Sequence, residues 1–208
     1  MIGARRWAAG LLLLPSLTAA QTPAWEKIKL GDVVQSVQFG GDLRLRHDSS
    51  FKRGGGSGAQ NNRGRSRFRL RLAAEIAFKH DLAAILRFAS GTGEHVSTNQ
   101  SYDNLSSQKA IYIDQAYARW TPAVSEKGSV YLQAGRMTNP LWRVYSSDLV
   151  WDEDFNPEGY AQGVEWKFPG AGMAVFANAL QGVADEDSNS AKNQWFFSQQ
   201  AGVQAQLP

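Results

Sequence analysis

The chain has 208 residues, 43% of them hydrophobic and 11% aromatic, with 22 Lys+Arg against 19 Asp+Glu. It contains no cysteine, which excludes a disulfide framework and a thiolate metal site. Its longest strongly apolar run, Trp7–Leu14, is far short of the roughly 18 residues a membrane helix needs, so any passage through a membrane must be made by a closed β-barrel.

Residues 1–20 read as a secretory signal. Arg5 and Arg6 form a positive start, Trp7–Leu14 an apolar stretch, and Thr18-Ala19-Ala20 a cleavage site before Gln21. The signal holds two arginines and no acid, so its removal lowers the net charge from +3 to +1. The basic character of the whole chain is therefore no sign of a nucleic-acid partner; what matters is where the charges lie. Residues 21–36, with Pro23, Trp25 and Lys27-Ile28-Lys29, form a periplasmic N-terminal segment too short to read as helix or turn. Strands are expected throughout 37–208.

The first expected strand is Val37–Asp48. Val37, Phe39, Leu43 and Leu45 share one parity; Gln38, Asp42, Arg44, Arg46 and Asp48 share the other. Ser49–Asn62 is a Gly- and Asn-rich loop, and no Lys-Ser/Thr follows its glycines as a phosphate-cradling loop requires. The second strand, Arg63–Lys79, has the clearest pattern in the chain. Arginine stands at 63, 65, 67, 69 and 71, and the even positions carry Phe68, Leu70, Leu72, Ile76 and Phe78. A helix would scatter these charges, whereas a strand places them all on one face. The mean soluble strand has about 5–6 residues, and this alternation is about three times longer. An arginine facing lipid at mid-membrane costs about 2–4 kcal/mol, so in a barrel the five must face a watery lumen. A soluble hairpin with a basic, nucleic-acid-binding face is the alternative for this stretch alone.

A turn at Lys79-His80-Asp81 leads to a third strand, Leu82–Ser90, with Arg87 inward. The polar loop Gly91–Gln108 follows, then a fourth strand, Lys109–Trp120. Its parity is mixed: Ile111, Ile113 and Tyr117 oppose Tyr112, Asp114 and Trp120. A turn with Pro122 precedes a fifth strand over Ser129–Gly135. The longest connection is Arg136–Gly159, rich in aromatic and acidic residues; loops of that length are usually functional or disordered. The sixth strand is Tyr160–Phe168, the seventh Met173–Leu180, and the eighth Gln194–Leu207, with the polar loop Gln181–Asn193 between the last two. Connections alternate long and short, as in bacterial outer-membrane barrels. Tyr112, Trp120, Tyr160 and Trp195 suit interfacial girdles. The fold class is all-β: an antiparallel transmembrane β-barrel with about eight strands present.

The opening WEKIKLGDVVQSVQFGGDLRLRHD, with Gly41-Asp42-Leu43-Arg44-Leu45-Arg46, resembles the start of the putative-porin family of Gram-negative outer membranes. RSRFRLRLAAEIAF, IDQAYARW and LQAGRMTNP, in that order, resemble the family's successive strands. The resemblance covers Trp25 to Phe168, and GDLRLR is its most specific element. It implies a porin-like barrel that passes small polar solutes, without catalysis and without a cofactor. Such barrels usually end in a terminal aromatic, whereas this chain stops at Gln206-Leu207-Pro208. The expected frame is thus the first half of a sixteen-stranded barrel. An eight-stranded barrel, its interior filled with side chains, is the alternative. The expected partners are outer-membrane lipid and lipopolysaccharide and small polar solutes, with a homotrimer as a candidate assembly and no nucleic acid.

Candidate pore-lining residues are Arg44, Arg46, Arg67, Arg69, Arg71 and Arg87. The third outer loop, which folds into the lumen of general porins, supplies Asp148, Asp152, Glu153, Asp154 and Glu158. A basic wall facing an acidic loop would set selectivity through its field. The plainer alternative pairs the arginines with Asp42, Glu75, Asp114 and Glu165 simply to hold the lumen together. His47, His80 and His95 show no metal-ligand spacing. The Asp185-x-Asp187-x-Asn189 start lacks the glycine and glutamate of a calcium loop, having Ser190 and Phe196 there. Two other classes stay open: a pore-less structural or adhesive barrel, and an outer-membrane enzyme that would need His95 with Asp103 or nearby serines.

Overall fold

Charged and apolar side chains that alternate along a chain are separated only by a pleated backbone. Among the described residues the chain accordingly builds one antiparallel sheet of nine strands. The structure, a computed structural model, describes residues 31–50, 63–143, 150–188 and 192–205. The signal segment and residues 21–30 lie outside the described residues, as does most of the glycine-rich loop.

The strands are β1 (Val34–Ser50), β2 (Arg63–Phe78), β3 (Leu82–Ser90), β4 (Gln100–Ser101), β5 (Ile111–Trp120), β6 (Gly128–Arg136), β7 (Glu158–Phe168), β8 (Met173–Asp185) and β9 (Gln194–Ala205). Each long strand pairs with the next, in the order β1-β2-β3-β5-β6-β7-β8-β9, and β4 adds to β2. The sheet is open, with β1 and β9 at its edges. All eight expected strands are present. The ninth, β4, lies in the expected loop Gly91–Gln108: where β3 ends, the chain returns and pairs Ser101 with Arg67 and Gln100 with Phe68. β8 runs five residues past its expected end, because Val183 still pairs with Trp195 of β9.

The two faces of the sheet are opposite in chemistry. Outward-facing Phe39 is 84% exposed, and Leu43 and Leu45 are 67% exposed. On the inner face the Arg67, Arg69 and Arg71 side chains are only 15%, 16% and 14% exposed. Charges shielded and leucines bare is the reverse of a water-soluble sheet, and it suits an apolar solvent outside and a polar interior. Gln162, Gln181 and Gln199 interrupt the outward apolar face on β7–β9.

The mixed parity of the fourth expected strand has a structural cause. Arg87 pairs with Gln115 while Phe88 pairs with Ile113, so Asp114 is an extra residue, a β-bulge. Below the bulge the parity inverts. Ala116, Ala118 and Trp120 then face out with Ile111 and Ile113, and Tyr117 and Arg119 face in. The Arg136 Nε donates to the Asp114 carbonyl at 3.0 Å, satisfying an acceptor the bulge removes from the ladder.

The β2–β3 turn places both His80 (φ 65°) and Asp81 (φ 61°) in the left-handed region, as a two-residue hairpin of type I′ demands. Elsewhere aromatic rings lie over cross-strand glycines. Tyr131 lies over Gly163 and donates to Asn178 Oδ1 at 3.0 Å; Phe176 lies over Gly202. A side chain at 163 would strike both Tyr131 and Asn178. Gly163→Val should therefore destabilise the barrel by about 1–3 kcal/mol, read as a lower urea midpoint of the refolded full chain. An unchanged midpoint would show that the ring can leave the glycine freely.

Candidate functional site

The upper half of the β1–β2 pair carries the arginines, because both strands put their charged parity on the same face. Arg44 stands opposite Arg69, Arg46 opposite Arg67, Asp42 opposite Arg71 and Asp48 opposite Arg65. Asp48 is shared by three guanidinium groups, at 2.8 Å from Arg46, 3.8 Å from Arg65 and 2.6 Å from Arg67. Asp42 accepts from Arg69 at 2.8 Å. Among the described residues Arg44 meets no carboxylate: its Nη2 donates to Asn99 Oδ1 at 2.8 Å, and its buried Nε has no hydrogen-bond partner.

Arg87 stands lower, opposite Ala73, and belongs to a different cluster. Its Nε lies 2.5 Å from Asp114 Oδ2, with Asp114 5% exposed. The bulge brings Gln115 to the inner face beside Asp114. Asn156 donates to Asp114 Oδ1 at 2.8 Å. The Gln115 amide lies 2.8 Å from that of Asn156, 2.7 Å from the Thr138 hydroxyl and 2.9 Å from Arg87. Asn156 and Thr138 come from opposite ends of the long connection 137–157, so this network fastens both its ends to the wall.

The described parts of that connection, 137–143 and 150–157, pack on the inner face. Met137, fully buried, packs with Tyr117, Ala161 and Leu180 from three strands. The Trp142 backbone N–H donates to Gln200 Oε1 at 2.6 Å, and Gln200 Nε2 returns a bond to the Trp142 carbonyl at 2.9 Å. The Trp142 ring sits 6.4 Å from Phe176; Trp151 stacks on Phe155 and meets Phe196 edge-on at 6.0 Å. Asp154 reaches Arg71 of β2 in an ion pair and accepts from the Thr98 backbone N–H at 3.2 Å. Truncating Gln200 to alanine should cost about 1 kcal/mol of loop docking, seen as faster proteolysis within 137–157 of the full chain.

The five expected loop acids divide. Asp154 meets the arginine wall. Asp152 caps the local turn, its Oδ1 accepting from the Asp154 N–H at 2.7 Å. Glu153 is exposed, and Asp148 lies outside the described residues. Glu158 stands in β7 rather than in the loop, 63% exposed and bonded to Arg136 at 2.9 Å. Of the plainer pairings, Arg69–Asp42 and Arg87–Asp114 are present, whereas Glu165 pairs with Lys167. His95 lines a cleft of 810 Å³ together with Tyr112, Asp114, Arg136 and Trp195; Asp103 is not among its walls.

The candidate pore-lining set omits Asp48, although the alternation places it on the inward parity, and omits Thr98, Asn99, Asn156 and Arg119. Asp48 and Arg119 carried a usable signal, since each is the charged member of an alternating strand. The other three lie in loops, where no periodicity marks the inner face.

The description "putative porin" matches residues 56–208. The chain belongs to the putative porin family. No curated protein and no solved structure matches the chain. The family match starts after β1, so the GDLRLR segment lies outside it, and it continues beyond Phe168 through β8 and β9. This putative porin therefore has a family frame over every element that touches the crossing loop. Family membership points to a channel-forming role rather than to an enzyme.

Proposed function

We propose that this protein is an outer-membrane porin through which small polar or charged solutes diffuse passively. The observation that carries the reading is that the described flanks of the connection 137–157 pack on the polar inner face at Trp142 and Trp151 and join the arginine wall through Asp154 and Arg71. A loop in that place narrows a lumen without closing it. The wall supplies fixed positive charge and the loop joined to it supplies carboxylates, and a solute passing beside them meets a field that orients dipoles and slows apolar molecules. In this reading residues 1–20 direct export and are removed, and the outward apolar face meets outer-membrane lipid and lipopolysaccharide.

The test is the conductance of the full-length gene product in planar bilayers. Arg67/Arg69/Arg71→Ala should change both single-channel conductance and ion selectivity. If neither changes, the arginines only hold the wall together. A refolded protein that passes no ions would instead favour a pore-less structural or adhesive barrel.

A further inference from the structure

Charge on the upper β1–β2 wall does not balance. Seven arginines share its inner face: Arg44 and Arg46 on β1, and Arg63, Arg65, Arg67, Arg69 and Arg71 on β2. Asp42, Asp48 and, from the loop, Asp154 pair with members of the row. Counting Asp152 and Glu153 as well leaves the balance positive. Guanidinium groups do not deprotonate in proteins, so the excess is permanent.

The arrangement is also regular. Alternate residues of a strand lie about 7 Å apart, so β2 offers a guanidinium at each such step, with Arg44 and Arg46 alongside. Inside the exposed strand end at Arg63, two places on this row are undercoordinated among the described residues. Asp48 divides one negative charge among three arginines, and Arg44 has only a neutral amide for a partner and an unpaired buried Nε. Each planar guanidinium fork is shaped to take a carboxylate or phosphate oxygen pair.

We infer that the β1–β2 row is a track for small anions, inorganic or carboxylate, which step from Arg44 past the Asp48-linked arginines. This deepens the diffusion-pore reading and rests on it. Cations are repelled along the same wall. Asp48 acts as a brake on the track: it neutralises part of a field that would otherwise hold an anion more firmly. Inside the exposed strand end at Arg63, Arg44 is its least neutralised step.

The two residues therefore make predictions of opposite sign. The experiment is the reversal potential of the full-length protein in a KCl gradient near 0.1 M, where charges are screened over only about 10 Å and local effects dominate. Removing a positive charge with Arg44→Gln should lower the chloride-to-potassium permeability ratio by about twofold or more, and Asp48→Asn should raise it by about as much. Arg44→Lys, which keeps the charge and loses the fork, should leave the ratio near wild type. A protein with no conductance would overturn the pore reading and this inference with it. A conducting pore whose ratio is unmoved by Arg44→Gln and Asp48→Asn, or moved in the same direction by both, would overturn the anion track and leave the pore standing.

Discussion

Replacing Asp114 with alanine is expected to destabilise the protein by about 3 kcal/mol, because it strips the charge partner from a mostly buried guanidinium. Asp114 is 5% exposed, and the Arg87 side chain beside it 20%. The loss reaches further than one ion pair. Asp114 Oδ1 also accepts from Asn156, so the C-terminal end of the crossing loop loses an anchor at once. Urea unfolding of the refolded full chain, followed by tryptophan fluorescence, measures the effect. Asp114→Asn should cost less, since it keeps an acceptor for Asn156. Changing Arg87 to Met together with Asp114→Ala should recover part of the loss, because the bare charge is then gone. Equal destabilisation by the single and the double variant would show that the cost lies in the bulge and not in the pair.

The second large effect concerns the loop rather than the wall. Asp154 holds Arg71, the Thr98 backbone N–H and the Thr98 hydroxyl, so it joins β2, the loop after β3 and the crossing loop. Asp154→Ala should weaken this junction by about 2–3 kcal/mol, the scale of hydrogen bonds to a charged group. Trp151, Phe155 and the Asn156 network remain, so the loop stays over the inner face but loses its fixed distance from the arginines. Single-channel current should rise and grow noisier. Thr98→Val, which removes the hydroxyl alone, should give a smaller change in the same direction. An unaltered current with Asp154→Ala would mean that the aromatic contacts at Phe196 and Phe176, the Gln200 bonds and the Asn156 network hold the loop without Asp154.

How far the residues announced this arrangement depends on whether each feature is periodic. β3 was readable to the residue, because the left-handed pair His80-Asp81 bounds one end and Gly91 the other. The long alternation of β2 fixed both its length and its faces. β8 was read short because Gln181 breaks the apolar parity, although its backbone pairs with Phe197 as well as any valine would. The mixed parity of β5 was visible, but its origin was not: a bulge adds one residue and inverts every side chain beyond it. β4 has only two residues, too few to alternate. The meeting of Arg71 with Asp154 joins positions 83 apart in the chain, and no local pattern carries such a distance. The strands could thus be read from local rules, whereas the loop's course depends on surfaces that exist only once the sheet has formed.

The anchors of the crossing loop also impose an order of assembly. Its described flanks, at Trp142 and Trp151, lean on Phe176 of β8 and on Phe196 and Gln200 of β9, strands that follow the loop in the chain, while its base rests on β5. A chain folded only through β7 therefore has the bulge network available and nothing beneath Trp142 or Trp151. Closing so distant a contact is slow, since chain entropy must be lost before the contact rewards it. The lumen consequently acquires its gauge only once β8 and β9 are in place beneath the loop.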